Sequence, residues 1–271
     1  MNDPEFDYDL AVLLLNMSLE AYRGSDELGE EFEGLTKIAY ITDKKTDTQL
    51  ILLRGKEKDN VYIAFRGTSS IHDLFTEVVP FKEKYPKENN TSKLFPTKVH
   101  KSTLNAYLTV KKKIFKEVKK ANKETKISKI YTTGHSLGGA MATYCVFDLK
   151  LAYPELDLIM YNFGSIRTGN LSFARKFNNL IPNTYRIVNN EDFSARYPKF
   201  LYKHVGKLVF MSRNKLRVNP TRFFQFLENL DNPIGIATGQ AMFDHAADKY
   251  RIVMKDMETV EKGKLYKKKK R

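Results

Sequence analysis

Residues 131–140 read Tyr-Thr-Thr-Gly-His-Ser-Leu-Gly-Gly-Ala, a G-x-S-x-G with a third glycine. A serine hydroxyl is a poor nucleophile at neutral pH. It becomes a useful one when a sharp turn holds it beside a general base and near backbone N–H donors. The flanks predict such a turn. Ile127, Ile130 and Tyr131 are β-branched or aromatic and suit a buried strand, and Met141, Tyr144, Cys145 and Leu149 recur at helical spacing after the serine. Gly134 and Gly138 lie on either side of Ser136, where side chains would clash as the strand folds back into the helix. Gly139 and Ala140 let that helix approach the sheet. The five-residue motif alone is a weak signal. The strand–turn–helix context makes Ser136 a candidate nucleophile on a strained elbow.

The chain of 271 residues is long enough for one large α/β domain. Its 42% hydrophobic content provides an ordinary core, but the formal net charge of +14 favours anionic partners such as acidic lipid surfaces or nucleic acid. The single cysteine, Cys145, forms no intrachain disulfide and falls on the apolar face of the helix after Ser136, as a buried structural thiol. The apolar run Leu10–Leu15 is preceded by Asp3, Glu5, Asp7 and Asp9, unlike a secretory leader, and is too short to span a bilayer. It predicts a buried helix capped by Asp7 or Asp9, in a protein that stays inside the cell, in the cytoplasm or peripherally on membranes.

Thr36–Thr42 and Gln49–Leu53 read as strands paired across the polar turn 43–47, and Val61–Phe65 as a strand covered on both faces. Residues 71–97 form a long, mixed-charge insertion. Within it Ile71, Leu74, Phe75, Val78, Val79 and Phe81 give one greasy face, a candidate lid. Thr103–Lys120 predicts a helix whose lysines, Lys111, Lys112, Lys116, Lys119 and Lys123, face water. Leu158–Phe163, Thr184–Val188 and Tyr202–Met211 predict strands, and Leu171–Asn178 and Thr221–Leu230 helical stretches. Strands alternating with helices imply a mainly parallel sheet with helices on both faces. A domain over 1–263 is followed by a basic tail, 264–271, suited to a solvated end, a nuclear-localisation run or attachment to anionic lipid.

In a serine hydrolase with this elbow the acid and then the base follow the nucleophile along the chain. Of His72, His100, His135, His204 and His245, only the last two lie far enough after Ser136. His204 sits in an apolar strand pattern, whereas His245 occupies a loop position free to reach the elbow. Asp192 lies past the end of the strand at Thr184–Val188, where ligands collect in open α/β sheets, with Glu191 as its rival.

These segments together resemble the class 3 lipases, the fungal- and plant-type triacylglycerol lipases of the α/β-hydrolase fold. The resemblance rests on Phe65–Ser70, on Val99-His100-Lys101 with Leu104 and Tyr107, and on Gly134–Ala140. It rests also on Asn162–Asn170 with its Gly-Asn end, on Val188–Asp192, and on Asp244-His245 with Tyr250. It implies a triad of Ser136, Asp192 and His245, with an oxyanion hole formed by the backbone N–H groups of Thr68 and Leu137 and Arg66 as an ion-pair residue. One such donor contributes about 3 kcal/mol. The chain departs from the family at Ser102-Thr103, where Gly and an aromatic are common, at Leu74, where Trp is frequent, and at Ile166, where Pro is usual.

The resemblance implies a serine hydrolase cleaving acyl esters of lipids, tri- or diacylglycerol or phospholipid, with no metal and no organic cofactor. Beside it stand a small-ester esterase or thioesterase and a catalytically silent lipid-binding scaffold. Charge alone, with no nucleic-acid motif, gives no specific nucleic-acid partner.

Overall fold

Alternate residues of one strand serve two different cores. Val61, Ile63 and Phe65 pack with one apolar cluster, whereas Tyr62 and Ala64 pack with another. This period of two on a doubly covered strand explains why Val61–Phe65 is apolar throughout. The structure is a computed structural model that describes residues 6–24, 29–67, 82–86, 96–190, 192–198, 201–212, 215–220, 244–255 and 265–267.

Twelve strands are described: β1 (Glu31–Phe32), β2 (Leu35–Asp43), β3 (Thr48–Arg54), β4 (Asn60–Phe65), β5 (Lys82–Lys84), β6 (Lys98–His100), β7 (Lys129–His135), β8 (Asp157–Phe163), β9 (Thr184–Asn189), β10 (Lys207–Ser212), β11 (Lys215–Val218) and β12 (Leu265–Lys267). Ten form one sheet in the order β1-β2-β3-β4-β7-β8-β9-β10-β11-β12, and β5 and β6 form a separate hairpin. The central pairs β4·β7, β7·β8, β8·β9 and β9·β10 are parallel, flanked by antiparallel pairs on both edges. The described helices are α1 (Tyr8–Glu20), α2 (Lys101–Glu124), α3 (Leu137–Ala152), α4 (Leu171–Leu180) and α5 (Ala247–Lys255).

One core gathers Leu104, Tyr107, Val110 and Ile114 of α2, Tyr144 and Phe147 of α3, and Phe173 and Phe177 of α4 against the sheet. The opposite core gathers Ala11, Leu14 and Leu15 of α1 with Tyr250 and Met254 of α5. The mainly parallel, two-sided α/β architecture is therefore as the sequence implied. Asp7 caps α1, its side chain accepting the Leu10 N–H at 3.0 Å.

Three local expectations change. The strand expected from Tyr202 begins only at Lys207: Gly206, at φ +72, breaks the extended run, and Lys203 makes only an isolated bridge to Gly169. Lys111 does not sit on the wet face of α2, because its Nζ reaches the buried carboxylate of Asp148 at 2.7 Å. Tyr107 also donates to Asp148, at 2.8 Å, and Tyr85 bonds it as well. Within the basic tail, Leu265–Lys267 joins the sheet edge as β12 against β11. The greasy face from Ile71 to Phe81 and the helical stretch Thr221–Leu230 lie outside the described residues.

Candidate active site

β7 ends at His135 and α3 begins at Leu137, so Ser136 alone makes the reversal. Its backbone, at φ 56 and ψ −124, lies where an L-residue is strained by about 1–3 kcal/mol. Two features hold it there. The Ser136 N–H donates to the Phe163 carbonyl at 2.8 Å, tying the turn to β8. A Cβ built on Gly134 would stand 2.3 Å from the Gly138 backbone, so the two arms of the elbow touch where glycine alone fits.

Three chain segments meet at this turn. The Ser136 hydroxyl lies 2.9 Å from His245 Nε2, and His245 Nδ1 lies 2.9 and 3.1 Å from the two carboxylate oxygens of Asp192. Ser136, Asp192 and His245 are only 1%, 0% and 1% exposed. In this geometry Nδ1–H donates to Asp192, which leaves Nε2 as the acceptor for the serine proton. His204 lies elsewhere, its Nε2 against the Ala195 carbonyl, and burial, helped by Arg186 and Arg167, pushes its pKa well down. Glu191 and Thr68 lie outside the described residues.

Asp192 is held by contacts that no local pattern announces. The Ser194 N–H donates to Oδ1 at 2.8 Å and its hydroxyl lies 2.7 Å from the same oxygen. Tyr250 donates to Oδ2 at 2.5 Å while accepting the Asn189 N–H at 3.0 Å. Burial alone would raise the Asp192 pKa, but His245, Tyr250 and Ser194 together hold it below the ordinary carboxylate value. Gly164, at φ +55, passes so close that an added Cβ would lie 2.5 Å from Asp192 Oδ2 and 3.2 Å from His245 Nδ1. Tyr250 and Gly164 were visible in the sequence only as parts of longer motifs, and Ser194 not at all.

A second layer fixes the base from behind. His135 Nε2 lies 2.9 Å from the backbone carbonyl of His245, which can only accept, so Nε2 carries the proton. Its Nδ1 therefore accepts from the Tyr22 hydroxyl at 3.1 Å. Burial, and then His245, depress the His135 pKa to about 3, so it stays neutral. Burial pushes the Tyr22 phenol up to about 12, so it remains a donor.

Leu137 opens α3, and its N–H is among those a helix leaves unpaired at its first turn. It points from the positive end of a 16-residue helix, where a developing negative charge is stabilised. Arg66, at the end of β4, pairs with Asp47, as a structural ion pair would. A serine oxygen, an imidazole and an oriented carboxylate, with helix N–H groups alongside, can carry out nucleophilic acyl transfer.

Residues 62–202 match the family described as Lipase (class 3). A lipase of Rhizomucor miehei is 32% identical over 62% of this chain and 46% of the relative, so the chain spans less than half of that protein. The secreted mono- and diacylglycerol lipase MDL3 of Malassezia globosa is 28% identical over 77% of this chain and 71% of the relative. A solved triacylglycerol lipase, described as having a serine protease triad as its catalytic centre, superposes with a TM-score of 0.69. It is 27% identical, over 78% of this chain and 83% of its own.

The secreted relative overturns the expectation of an intracellular protein. Asp7 caps the helix and Asp9 lies in its first turn, and a fold held by two apolar cores needs no disulfide in an oxidising compartment. Neither feature reports where the protein works.

Proposed function

Because this chain belongs to the class 3 lipases, we propose that it is a serine hydrolase that cleaves the acyl esters of lipids, with Ser136 as nucleophile. The observation that carries the proposal is the continuous hydrogen-bonded run from Ser136 Oγ through His245 to Asp192, with steps of 2.9 Å and 2.9 Å. His245 takes the Ser136 proton as Oγ attacks the ester carbonyl, and returns it to the departing alcohol. Asp192 holds the imidazole in the required tautomer and stabilises its cation. Leu137 N–H and, on the family pattern, Thr68 N–H receive the oxyanion. Water then cleaves the acyl-enzyme by the same proton path, so that acid and alcohol leave and no cofactor is consumed.

Acylglycerols are the substrate class we favour, supported by the mono- and diacylglycerol and triacylglycerol activities in the names of relatives. The secreted relative supports action outside the cell. We assign the role of a cover over the site to 71–97 from its greasy sequence face, and we treat the hydrolase domain as reaching through β12, to Lys267. The net charge of +14 supports an anionic lipid surface as the place of work. Hydrolysis of an ester series from dissolved short chains to dispersed acylglycerols, beside phospholipid vesicles, tests the reading. No turnover of any ester by folded protein would reject it.

A further inference from the structure

A depression of about 760 Å³ brings four cations, Lys82, Lys98, Arg175 and Lys203, together with two leucines, Leu171 and Leu201. Among the described residues no carboxylate lines it, and none of the four cations takes part in an ion pair. Net charge does not account for this alone. The larger cavity of about 1020 Å³ between α1 and α5 mixes Arg23 and Arg251 with Glu20, Glu31, Glu33 and Asp248. Leu201 is 79% exposed and Leu171 46%, two of the five exposed large hydrophobic residues among the described residues. Isolated exposed leucines need no explanation, but a pair set beside unpaired cations is the composition of a surface that meets lipid.

The arrangement is built rather than incidental. Lys84 faces Lys98 across the β5·β6 hairpin, which puts Lys82 and Lys98 diagonally on one face. Burial, and then Lys98, lower the Lys82 pKa from 10.5, the response of a cation with no counter-charge. The Lys82 ammonium rests 4.7 Å over the Tyr202 ring. The Lys203 N–H donates to the Gly169 carbonyl at 2.7 Å and the Asn170 N–H to the Lys98 carbonyl at 2.8 Å, so three segments are fixed together. The N-terminus of α4 opens at Leu171, adding partial positive charge.

Position gives the patch its meaning. The segment that carries Gly169 and Asn170 begins at Gly164, beside Asp192 and His245. β8 ends beside the triad at Gly164, and α4 opens at Leu171 before the chain returns to β9, so Leu171 and the start of α4 lie toward the catalytic end of the sheet. We propose that this depression seats the headgroups of an anionic phospholipid surface, Leu171 and Leu201 entering the acyl boundary, so that the catalytic end of the enzyme faces lipid. The catalytic meaning of that docking rests on the hydrolase reading; the binding does not.

The test measures co-sedimentation with phosphatidylglycerol and with phosphatidylcholine vesicles at low salt, on a Ser136→Ala background that leaves the vesicles intact. One variant carries Lys82→Gln, Lys98→Gln, Arg175→Gln and Lys203→Gln. A control removes the same charge from the exposed face of α2 through Lys112→Gln, Lys116→Gln, Lys119→Gln and Lys123→Gln. Near an anionic surface each charge is worth about a fivefold change in binding, so the patch variant should lose a hundredfold or more on phosphatidylglycerol, and the control roughly tenfold or less. Leu201→Ser, a change at a solvent-facing position that leaves the fold alone, should weaken binding about tenfold without altering its salt dependence.

Equal losses in patch and control variants would overturn the proposal. So would wild-type binding by Leu201→Ser, equal binding of the parent to phosphatidylcholine, or full displacement by millimolar inorganic phosphate. With Ser136 restored, a variant carrying only Lys98→Gln, Arg175→Gln and Lys203→Gln, all outside 71–97, should hydrolyse a dissolved short-chain ester at the parent's rate. If the parent itself hydrolyses none, the catalytic reading fails while the vesicle result stands.

Discussion

Replacing Gly164 by alanine would push a methyl group between the acid and the base. The Cβ would stand 2.5 Å from Asp192 Oδ2, against an ordinary contact of 3.4–4 Å, so the carboxylate must retreat by about 1 Å. The Asp192–His245 distances of 2.9 and 3.1 Å have no room for that retreat, and both bonds open. A displacement of that size at a reacting group costs about 10²-fold, and complete loss of acid orientation about 10⁴-fold. The expected fall in kcat/KM for a dissolved ester is therefore between these limits, carried by kcat. The left-handed backbone at φ +55 adds about 1–2 kcal/mol of destabilisation, visible in urea unfolding. Gly24→Ala is the control: its φ is +39, but nothing lies within 4 Å, so stability drops without loss of rate. Wild-type kcat in Gly164→Ala, or an equal rate loss in Gly24→Ala, would refute the reasoning.

Asp192→Asn should keep the fold and lose about 10⁴-fold in kcat, because His245 takes the wrong tautomer, whereas Glu191→Gln should change little; the reverse ranking in steady-state kinetics would move the acid. Ser194→Ala and Tyr250→Phe each remove a donor to Asp192 and should lower kcat about tenfold with KM unchanged; parallel changes in KM would show a different role. Acid should destabilise the fold through His100, held near 4 by burial, His135, held near 3 by burial and His245, and His204, pushed well below 6.5 by burial. Because the unfolded chain binds these protons first, stability is fully present above pH 6.5 and is lost as pH falls toward the folded values. Each histidine contributes up to about 1.4 kcal/mol per pH unit in that window. A urea midpoint unchanged between pH 7.5 and pH 5 would contradict this.

What the sequence disclosed and what it withheld follow from the range of the interactions. The elbow is legible because its constraint is local: Gly134 and Gly138 must touch across Ser136, and strand and helix patterns flank it. The two-sided sheet is legible for a similar reason, since Val61–Phe65 alternates between two cores within one apolar run. Order along the chain narrowed the base to His204 and His245, the loop setting and the family resemblance favoured His245, and it is His245 whose Nε2 contacts Ser136. The support of Asp192 was hidden, because Tyr250 approaches from 58 residues away and Ser194 from an irregular turn. Apolar periodicity misled at Tyr202–Met211, where Gly206 breaks a run that is apolar on both sides, at Val205 and Leu208. Lys111 looked like one more solvated lysine because its partner, Asp148, lies on another helix. Compartment was misjudged because helix capping and cysteine count describe folding, not export.

The central claim is that Ser136 is activated by His245. Reaction with a fluorophosphonate, followed by peptide mass spectrometry, tests it most directly. The adduct should form on Ser136 alone, at a rate reduced at least about 10³-fold in folded His245→Ala and little changed in His204→Ala. An adduct on another residue, or undiminished labelling of Ser136 in His245→Ala, would contradict it.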